Sequence, residues 1–222
     1  MANTIQTIQK TREYLDYVER HILNVNKAWE ELNIKCRLKG FNWIYDDFIW
    51  NIINENIKHH DLSKLSISEF VQYRQYFYPA EGEEKNKELM NEGWMHHLGN
   101  NPHHWQYWTE RDYAYPHQKL IYLIENICDW MAMGYEFGDT AQEYYENNKD
   151  KIFLPEWAIK EMYKIFEIIY PQIDEEKVVC PKCGNGENLH FNYDYSKKEL
   201  PVIDVLCNEC GENFASKDPE TM

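Results

Sequence analysis

The stretch Asn56–Ser66, NIKHHDLSKLS, places His59, His60 and Asp61 side by side directly after an apolar helical run. Lys64 follows the aspartate three residues later. Neighbouring histidine and carboxylate side chains commonly serve a helix end, a protein surface or a metal ion. The run before the stretch predicts a helix, and the stretch itself predicts the end of that helix with a candidate site beside it.

The composition predicts an ordered globular protein. The 222 residues are 43% hydrophobic and 15% aromatic, which is enough for one sizeable core and a small appendage. The net charge of −15 argues against a nucleic-acid or anionic-membrane partner, although bound metal ions would still admit a small phosphorylated substrate. No apolar run approaches the roughly 18 residues of a membrane span, and the N-terminus lacks signal-peptide features, so we expect a cytoplasmic protein.

Hydrophobic periodicity predicts a helical domain over residues 1–172. Apolar residues step by three and four along a first helix of about 4–34, at Leu15, Val18, Ile22, Val25, Trp29 and Leu32. Six further helices are predicted at about 45–58, 68–78, 85–98, 116–136, 140–148 and 155–170. Ser66 or Ser68 is the expected cap of the third helix, and Asn101 is the expected cap of an additional short helix that carries His103 and His104. After Pro171 the helical period stops, which predicts a second domain over residues 173–222.

Histidines and aspartates recur on or at the ends of these helices, at His21, His60, Asp61, His96, His97, His103, His104 and Asp129. Only a bundle of several helices can gather them, and imidazole with carboxylate suits Mn, Fe, Co, Ni or Zn. Each residue also has an ordinary explanation, such as a helix cap for Asp61 or a core histidine for His21. Asp129 lies in the apolar segment NICDWMAM, where a buried carboxylate needs a partner. Taken together, the set favours a metal site, with His97 preferred over His96.

The order of these residues resembles the HD-domain metal-dependent phosphohydrolases, a superfamily that includes uncharacterised bacterial and phage members. Their motif H…HD…D is matched by His21, His60, Asp61 and Asp129. HDLSK is similar to the HDxGK of that superfamily, with serine in the glycine position and Lys64 in the lysine position. His97 and the pair His103-His104 resemble the longer pattern of a subgroup that holds two or three metals. The resemblance covers about residues 14–136. WQYWTERDY follows the paired histidines where the cyclic-dinucleotide branch has a Gly-Tyr-Pro motif, which argues against cyclic di-GMP.

The resemblance implies an HD-like helical bundle and a set of roles for these residues. His21, His60, Asp61 and Asp129 would hold a first divalent transition metal, and Asp61 would bridge to a second one held by His97 and by His103 or His104. Metal-bound hydroxide would then attack phosphorus. Lys64 would neutralise charge on the phosphoryl oxygens, and a histidine free of metal, His104, would protonate the leaving oxygen.

Other polar and aromatic residues near this set have less specific predictions. Glu125, one turn before Asp129, is predicted to be a surface acid, with the orientation of a metal ligand as its alternative. Arg74 and Arg111 are expected in surface ion pairs rather than on phosphate. The aromatic residues Trp94, Trp105, Tyr107, Trp108 and Tyr115 are expected in the core, with stacking on a nucleobase as the alternative.

Four of the six cysteines form two CxxC pairs, CPKCG (Cys180, Cys183) and CNECG (Cys207, Cys210). Each pair directs two thiolates at one point, and two pairs give the four-sulfur shell that structural Zn²⁺ prefers. The pattern looks like a small β zinc ribbon, with LHFNYDY and PVIDVL as strands. Val179 to Met222 contains 4 Lys and 8 Asp or Glu, whereas ribbons that bind nucleic acid are usually basic. We therefore expect a metal-stabilised module for packing or for contact with a protein partner.

The sequence thus predicts a metal-dependent phosphohydrolase that acts on a phosphomonoester or phosphodiester, with a nucleotide as the favoured substrate. Two alternatives remain open. One is a non-catalytic, metal-stabilised interaction or regulatory protein whose ribbon docks a partner. The other uses mixed-valent iron in the same pocket for oxidative chemistry.

Overall fold

Helices make up most of the protein in the computed structural model, which describes residues 3–41, 46–109, 116–171, 179–194 and 202–216. The helices are α1 (Thr4–Leu38), α2 (Asp47–Lys58), α3 (Phe70–Phe77), α4 (Lys87–Asn100), α5 (Trp105–Thr109), α6 (Pro116–Phe137), α7 (Ala141–Asn148) and α8 (Glu156–Ile169). The strands β1 (Leu189–Asp194), β2 (Val202–Cys207) and β3 (Asn213–Ser216) follow them. The predicted mainly helical fold with a small C-terminal sheet is confirmed at this level. None of the helices in the described ranges combines the length and the apolar character that crossing a membrane requires.

Residue contacts divide the chain into two units. The first contains Met1–Glu30 and Asn42–Met162, and the second contains Glu31–Phe41 and Tyr163–Met222. The predicted domain boundary at residue 172 falls among residues 172–178, which lie outside the described residues. All the predicted histidine and aspartate ligands belong to the first unit, and the four paired cysteines belong to the second.

The first unit is built on α2 and α6, which pack against each other. Ile49, Ile53 and Ile57 recur every four residues and form the buried stripe of α2, whose N-terminus is capped by the Asp46 carboxylate. Phe48 is 69% exposed, because it precedes Ile49 by one residue and so projects about 100° away from the stripe. On α6, the apolar residues from Ile121 to Met131 are buried on more than one face, as expected of a helix enclosed by others.

At the N-terminal end of α1, the buried row of side chains is shifted by one residue from the predicted row. Leu15 is 40% exposed, whereas Tyr14, Val18, His21 and Val25 are buried. His21 therefore belongs to the buried row of α1. This shift directs the His21 imidazole into the interior of the first unit.

Two predicted helix starts are wrong, and both errors involve residues near the candidate site. α3 begins at Phe70 without a side-chain cap, so neither Ser66 nor Ser68 caps it. α5 begins at Trp105, so His103 and His104 lie in the turn before the helix. Asn101 does not cap α5, because its side-chain amide donates to Ser63 Oγ at 2.6 Å and to the His97 carbonyl at 2.8 Å.

The second unit contains a buried ion pair and an antiparallel sheet. Lys35 Nζ lies 2.6 Å from Glu31 Oε1 and donates to the Ile169 carbonyl at 3.2 Å, which satisfies a carbonyl at the end of α8. The strands pair in the order β1-β2-β3, with Leu189 opposite Cys207. Gly184 and Gly211, which follow the two CxxC pairs, have φ of 74° and 70°, a conformation that glycine adopts without the Cβ clash of other residues.

Candidate metal centre

The backbone at Asp61 places the candidate site at the end of α2. Asp61 has φ 56° and ψ 18° and is the one non-glycine residue with positive φ among the described residues. Aspartate tolerates this left-handed conformation better than most residues, but it still costs about 1–3 kcal/mol. Such strain persists only where the surroundings hold it, and it clusters at functional sites. The reversal of the chain at Asp61 directs the side chains of His60 and Asp61 toward the same centre.

One oxygen of the Asp61 carboxylate faces a first cluster of ligand atoms. Asp61 Oδ2 lies 3.2 Å from His21 Nε2 and 3.6 Å from His60 Nε2. Asp129 Oδ1, from α6, lies 3.2 Å from His21 Nε2 and 3.7 Å from His60 Nε2. Two ligand atoms that are each about 2.1 Å from a metal ion are about 3.0–3.4 Å apart at the angles of octahedral and tetrahedral coordination. The spacing of this cluster is close to that of a metal-binding polyhedron.

The other oxygen of Asp61 faces a second cluster. Asp61 Oδ1 lies 3.3 Å from His97 Nε2 and 3.7 Å from His103 Nε2. His104 completes a group whose ligand atoms all lie within 4.8 Å of one another. Asp61 therefore stands between two candidate metal positions, with a different oxygen directed at each.

Several ligand atoms are buried without any hydrogen-bond partner within the described part of the chain. They are the Nε2 atoms of His21, His60, His103 and His104 and the Oδ1 atom of Asp61. Leaving such a group unsatisfied costs about 1–3 kcal/mol each, and here five of them converge. Divalent metal ions are the partners that satisfy imidazole nitrogens and carboxylate oxygens together, so the residues present fit a metal centre.

Two buried glutamates orient the imidazoles from behind. Glu125 Oε1 lies 3.3 Å from His60 Nδ1 and 3.2 Å from His103 Nδ1, and Glu69 Oε2 lies 2.8 Å from His97 Nδ1. A carboxylate that accepts the Nδ1 proton leaves the Nε2 lone pair free for a metal and raises the basicity of the ring. Glu125 is 4% exposed, so its prediction as a surface acid is wrong and the alternative as an orienting residue fits the geometry.

Glu69 was missed by the sequence reasoning although its side chain is fully buried. Its carboxylate accepts from Ser63 Oγ at 3.0 Å and lies 2.6 Å from His96 Nδ1 as well as 2.8 Å from His97 Nδ1. No local pattern marks this residue, because the two histidines follow it 27 and 28 positions later. Because the Glu69 carboxylate is engaged with these side chains, it does not cap the N-terminus of α3.

The electrostatic surroundings keep the carboxylates of the two candidate ligands Asp61 and Asp129 ionised. Burial alone would raise the pKa of Asp61, but Lys64 and His60 outweigh burial and hold that pKa well below its usual range. Burial likewise opposes the effect of His21 and His60 on Asp129, whose pKa is also held well below its usual range. For His60, burial lowers the pKa, and the opposing attraction of Asp61 and Asp129 raises it to about 10. Without metal ions, protons on the histidines compensate the carboxylates, and metal binding must displace them.

His104 differs electrostatically from the other histidines. Burial and the neighbouring His103 hold the pKa of His104 well below its usual range. A neutral imidazole suits a metal ligand, whereas a proton donor must first be protonated. The catalytic acid role of His104 stays a prediction, and this lowered pKa does not favour it.

The structure brings the seven predicted histidine and aspartate ligands into one centre: His21, His60, Asp61, His97, His103, His104 and Asp129. Lys64 joins them, with Nζ 2.6 Å from Asp61 Oδ2. His96 stays outside, since its ring meets Glu69 from the other side and is partly exposed. Arg74 forms an ion pair with Glu83 as expected, but Arg74 is buried and not on the surface. Arg111 and Tyr115 lie outside the described residues.

We expect Glu125→Gln to weaken metal binding at both positions, because a single oxygen of the glutamate, Oε1, contacts a histidine of each cluster. The loss of such an orienting carboxylate typically costs about 10–100-fold in metal affinity. Competitive titration with a fluorescent chelator measures this change. Glu83→Gln is the matched control, since Glu83 binds Arg74 instead of a histidine. Unchanged affinity in Glu125→Gln would contradict the orienting role.

The four paired cysteines lie close together in the second unit. Cys180 Sγ is 3.6 Å from Cys210 Sγ, and Cys183 Sγ is 3.7 Å from Cys207 Sγ. A disulfide would require about 2.05 Å, whereas two thiolates of a tetrahedral zinc site are about 3.8 Å apart. The cluster could therefore hold a metal ion such as zinc, and no sulfur pair in it is a disulfide.

We expect Cys207→Ser to remove one zinc ion per chain and to leave the metals of the first unit in place. A hydroxyl is a poorer zinc ligand than a thiolate, and a structural site needs all four ligands. Metal content by plasma mass spectrometry measures the loss. Asn208→Ser, at an exposed residue between Cys207 and Cys210, is the control. Retention of all zinc in Cys207→Ser would contradict the site.

Residues 10–168 match the family described as "Family of unknown function (DUF5662)". The match covers more than half of the chain, so the protein belongs to this family. The matched range contains all seven histidine and aspartate residues of the centre and none of the four paired cysteines. No curated protein and no solved structure matches the chain.

Proposed function

We propose that the protein is a metal-dependent phosphohydrolase of the HD type that acts on a phosphomonoester or phosphodiester, with a nucleotide as the favoured substrate. The observation that carries the proposal is the Asp61 carboxylate, which lies between two clusters of buried imidazoles and is paired with Lys64. His21, His60, Asp61 and Asp129 would hold one ion, and Asp61, His97, His103 and His104 would hold the other. Bound divalent ions supply an activated water at neutral pH and polarise a phosphoryl oxygen.

Among the described residues, Lys64 is well placed to act on the phosphoryl group itself. Burial lowers its pKa, but the charge of Asp61 raises it more, so the net shift is upward and the ammonium stays protonated. Its Nζ lies beside the bridging carboxylate and lines the cavity above the centre. A fixed positive charge there stabilises the charge that develops on phosphoryl oxygens during the reaction.

A second candidate function is oxidative chemistry with iron, favoured by one feature of the second cluster. Three imidazoles and one carboxylate surround that position, a ligand set that suits iron as well as zinc or manganese. This reading requires dioxygen as the oxidant. Consumption of oxygen by the iron-loaded protein, in the presence of a substrate, distinguishes it from hydrolysis.

The test is a hydrolysis screen on the full chain after its metals have been removed and replaced one at a time. Protein loaded with Mn, Fe, Co, Ni or Zn is assayed for release of phosphate from phosphomonoesters and of alcohol from phosphodiesters. We expect turnover that depends on the added metal and disappears with a chelator. Absence of turnover on every ester with every metal would overturn the proposal, and oxygen uptake with iron would favour the second candidate.

A further inference from the structure

A cavity of about 770 Å³ lies directly above the candidate metal centre in the first unit. His21, Asp61, His97, His104 and Asp129 form part of its lining, and Lys64 lies beside them. Pockets of about 300–1,000 Å³ enclose most of the surface of a small ligand. A substrate can therefore place its reacting group at the metals while the remainder of the molecule occupies the cavity.

The walls of this cavity are largely aromatic. They include Tyr14, Tyr17, Tyr73, Trp94, Trp130 and Tyr144, which come from five different helices. Ring faces of this kind stack on nucleobases and other flat rings. The hydroxyl of Tyr73 is a hydrogen-bond donor. The sequence reasoning placed Trp94 and Trp105 in the core, whereas both lie on the cavity wall.

Besides the candidate metal-ligand atoms, three polar atoms of the cavity-lining residues are buried without a hydrogen-bond partner in the described ranges. They are the Tyr73 hydroxyl, the side-chain oxygen of Gln106 and the side-chain oxygen of Asn126. Unsatisfied buried polar groups are costly, and functional sites retain them when a ligand provides the partner. Both amides belong to residues that line the cavity, and rotation of the side chain would present the amide oxygen to the O–H or N–H donors of a sugar or a nucleobase.

The charged side chains that line the cavity limit the charge that a substrate can carry. Asp61, Asp129 and Asp139 are the carboxylates and Lys64 is the cation among the described lining residues. With two divalent ions in place, the net charge of this set is two positive, which matches the dianion of a phosphomonoester. A triphosphate carries about two further negative charges, and these would meet aromatic walls instead of cations, which is costly in a desolvated site.

From these observations we infer that the substrate is a nucleoside monophosphate, whose sugar and base are received by the aromatic wall and by the amides of Gln106 and Asn126, and that nucleoside triphosphates are excluded. The inference rests on the proposed function, because the phosphate is placed by the metals of that site. Gln106 is the specificity residue to test, because it is not a candidate metal ligand. It lies two residues after His104 in the sequence.

The experiment compares nucleoside 5′-monophosphates, the corresponding triphosphates and phenyl phosphate, which has a ring but no sugar or base donors. Binding to the metal-loaded full chain is followed by tryptophan fluorescence, since Trp94, Trp105 and Trp130 line the cavity, and turnover is measured in parallel. We expect at least about tenfold higher kcat/KM for one or more monophosphates than for phenyl phosphate and for the triphosphates.

The variant Gln106→Leu keeps the size of the side chain but removes its amide. We expect its KM for the preferred monophosphate to rise about tenfold, with the KM for phenyl phosphate unchanged. Gln9→Leu, an exposed glutamine on α1, is the control. Equal turnover of triphosphates, or no preference over phenyl phosphate, would overturn this inference while the proposed function stands. Failure of every ester to turn over would overturn the proposed function, and fluorescence would still show whether monophosphates bind.

Discussion

Asp61→Asn should reduce the metal content of the first unit from two ions to at most one and lower hydrolysis at least about 1,000-fold. The two carboxylate oxygens face different clusters, toward His21 on one side and His97 on the other, whereas an amide offers only one ligating oxygen. Asparagine adopts the left-handed conformation of residue 61 as readily as aspartate, so the turn is preserved. The loss is therefore expected in metal binding rather than in folding.

The measurements for Asp61→Asn are metal content by plasma mass spectrometry, turnover, and thermal unfolding with and without added metal. A ligand that binds the folded state raises the unfolding temperature, so the variant should lose most of the shift caused by the metal. His59→Ala is the matched control, because His59 lies in the same stretch of sequence but is exposed and belongs to neither cluster. Two retained ions with normal turnover would disprove the bridging role of Asp61.

The two candidate metal positions share more than one residue, which predicts that they are occupied together. Asp61 supplies an oxygen to each, and Glu125 Oε1 faces one histidine of each. A metal at the first position would fix the Asp61 carboxylate and displace the proton of His60, and both changes would favour binding at the second position. Coupling of this kind is reciprocal, so occupation of either position should raise the affinity of the other for metal by the same factor.

The sequence identified the candidate ligands, which the structure brings together, better than the buried glutamates that contact them. The order of four residues in the sequence marks them as candidate ligands: His21, His60, Asp61 and Asp129. In the structure, the Nε2 atom of each histidine lies within 3.7 Å of a carboxylate oxygen of both aspartates. Glu69 and Glu125 are buried behind the histidines, and a glutamate in a helix carries no local sign of a partner on another helix. The helix start at Trp105 was missed for the same reason, since Asn101 binds Ser63, 38 residues earlier in the chain.

The helix boundaries show a similar division between local and distant causes. α6 begins at Pro116 and α7 at Ala141 behind the Thr140–Glu143 capping box, both set by neighbouring residues and both close to the predictions. The start of α3 depends on Glu69, whose carboxylate binds the histidines of α4 instead of the helix terminus. The predicted helix starts are wrong where contacts between helices, and not neighbouring residues, determine where a helix begins.

Lys64→Met should lower kcat by about 100- to 1,000-fold and leave the metal content unchanged. The substitution keeps the length of the apolar stem but removes the ammonium, which lies 2.6 Å from Asp61 Oδ2 and lines the cavity. Bound metal ions compensate the charge of Asp61 in the variant, so the centre should still assemble. What is lost is the positive charge beside the phosphoryl oxygens, and that loss acts on the transition state more than on substrate binding.

Lys58→Met is the matched control, because Lys58 lies in the same stretch but pairs with Glu55 on the exposed face of α2. Steady-state kinetics separate kcat from KM, and plasma mass spectrometry counts the metals. A fall in kcat with full metal content assigns Lys64 to the chemical step. Loss of metal would mean that Lys64 acts only through Asp61, and unchanged kcat would remove it from catalysis. Because a non-catalytic interaction protein would tolerate Lys64→Met, this variant also separates the hydrolase from that alternative.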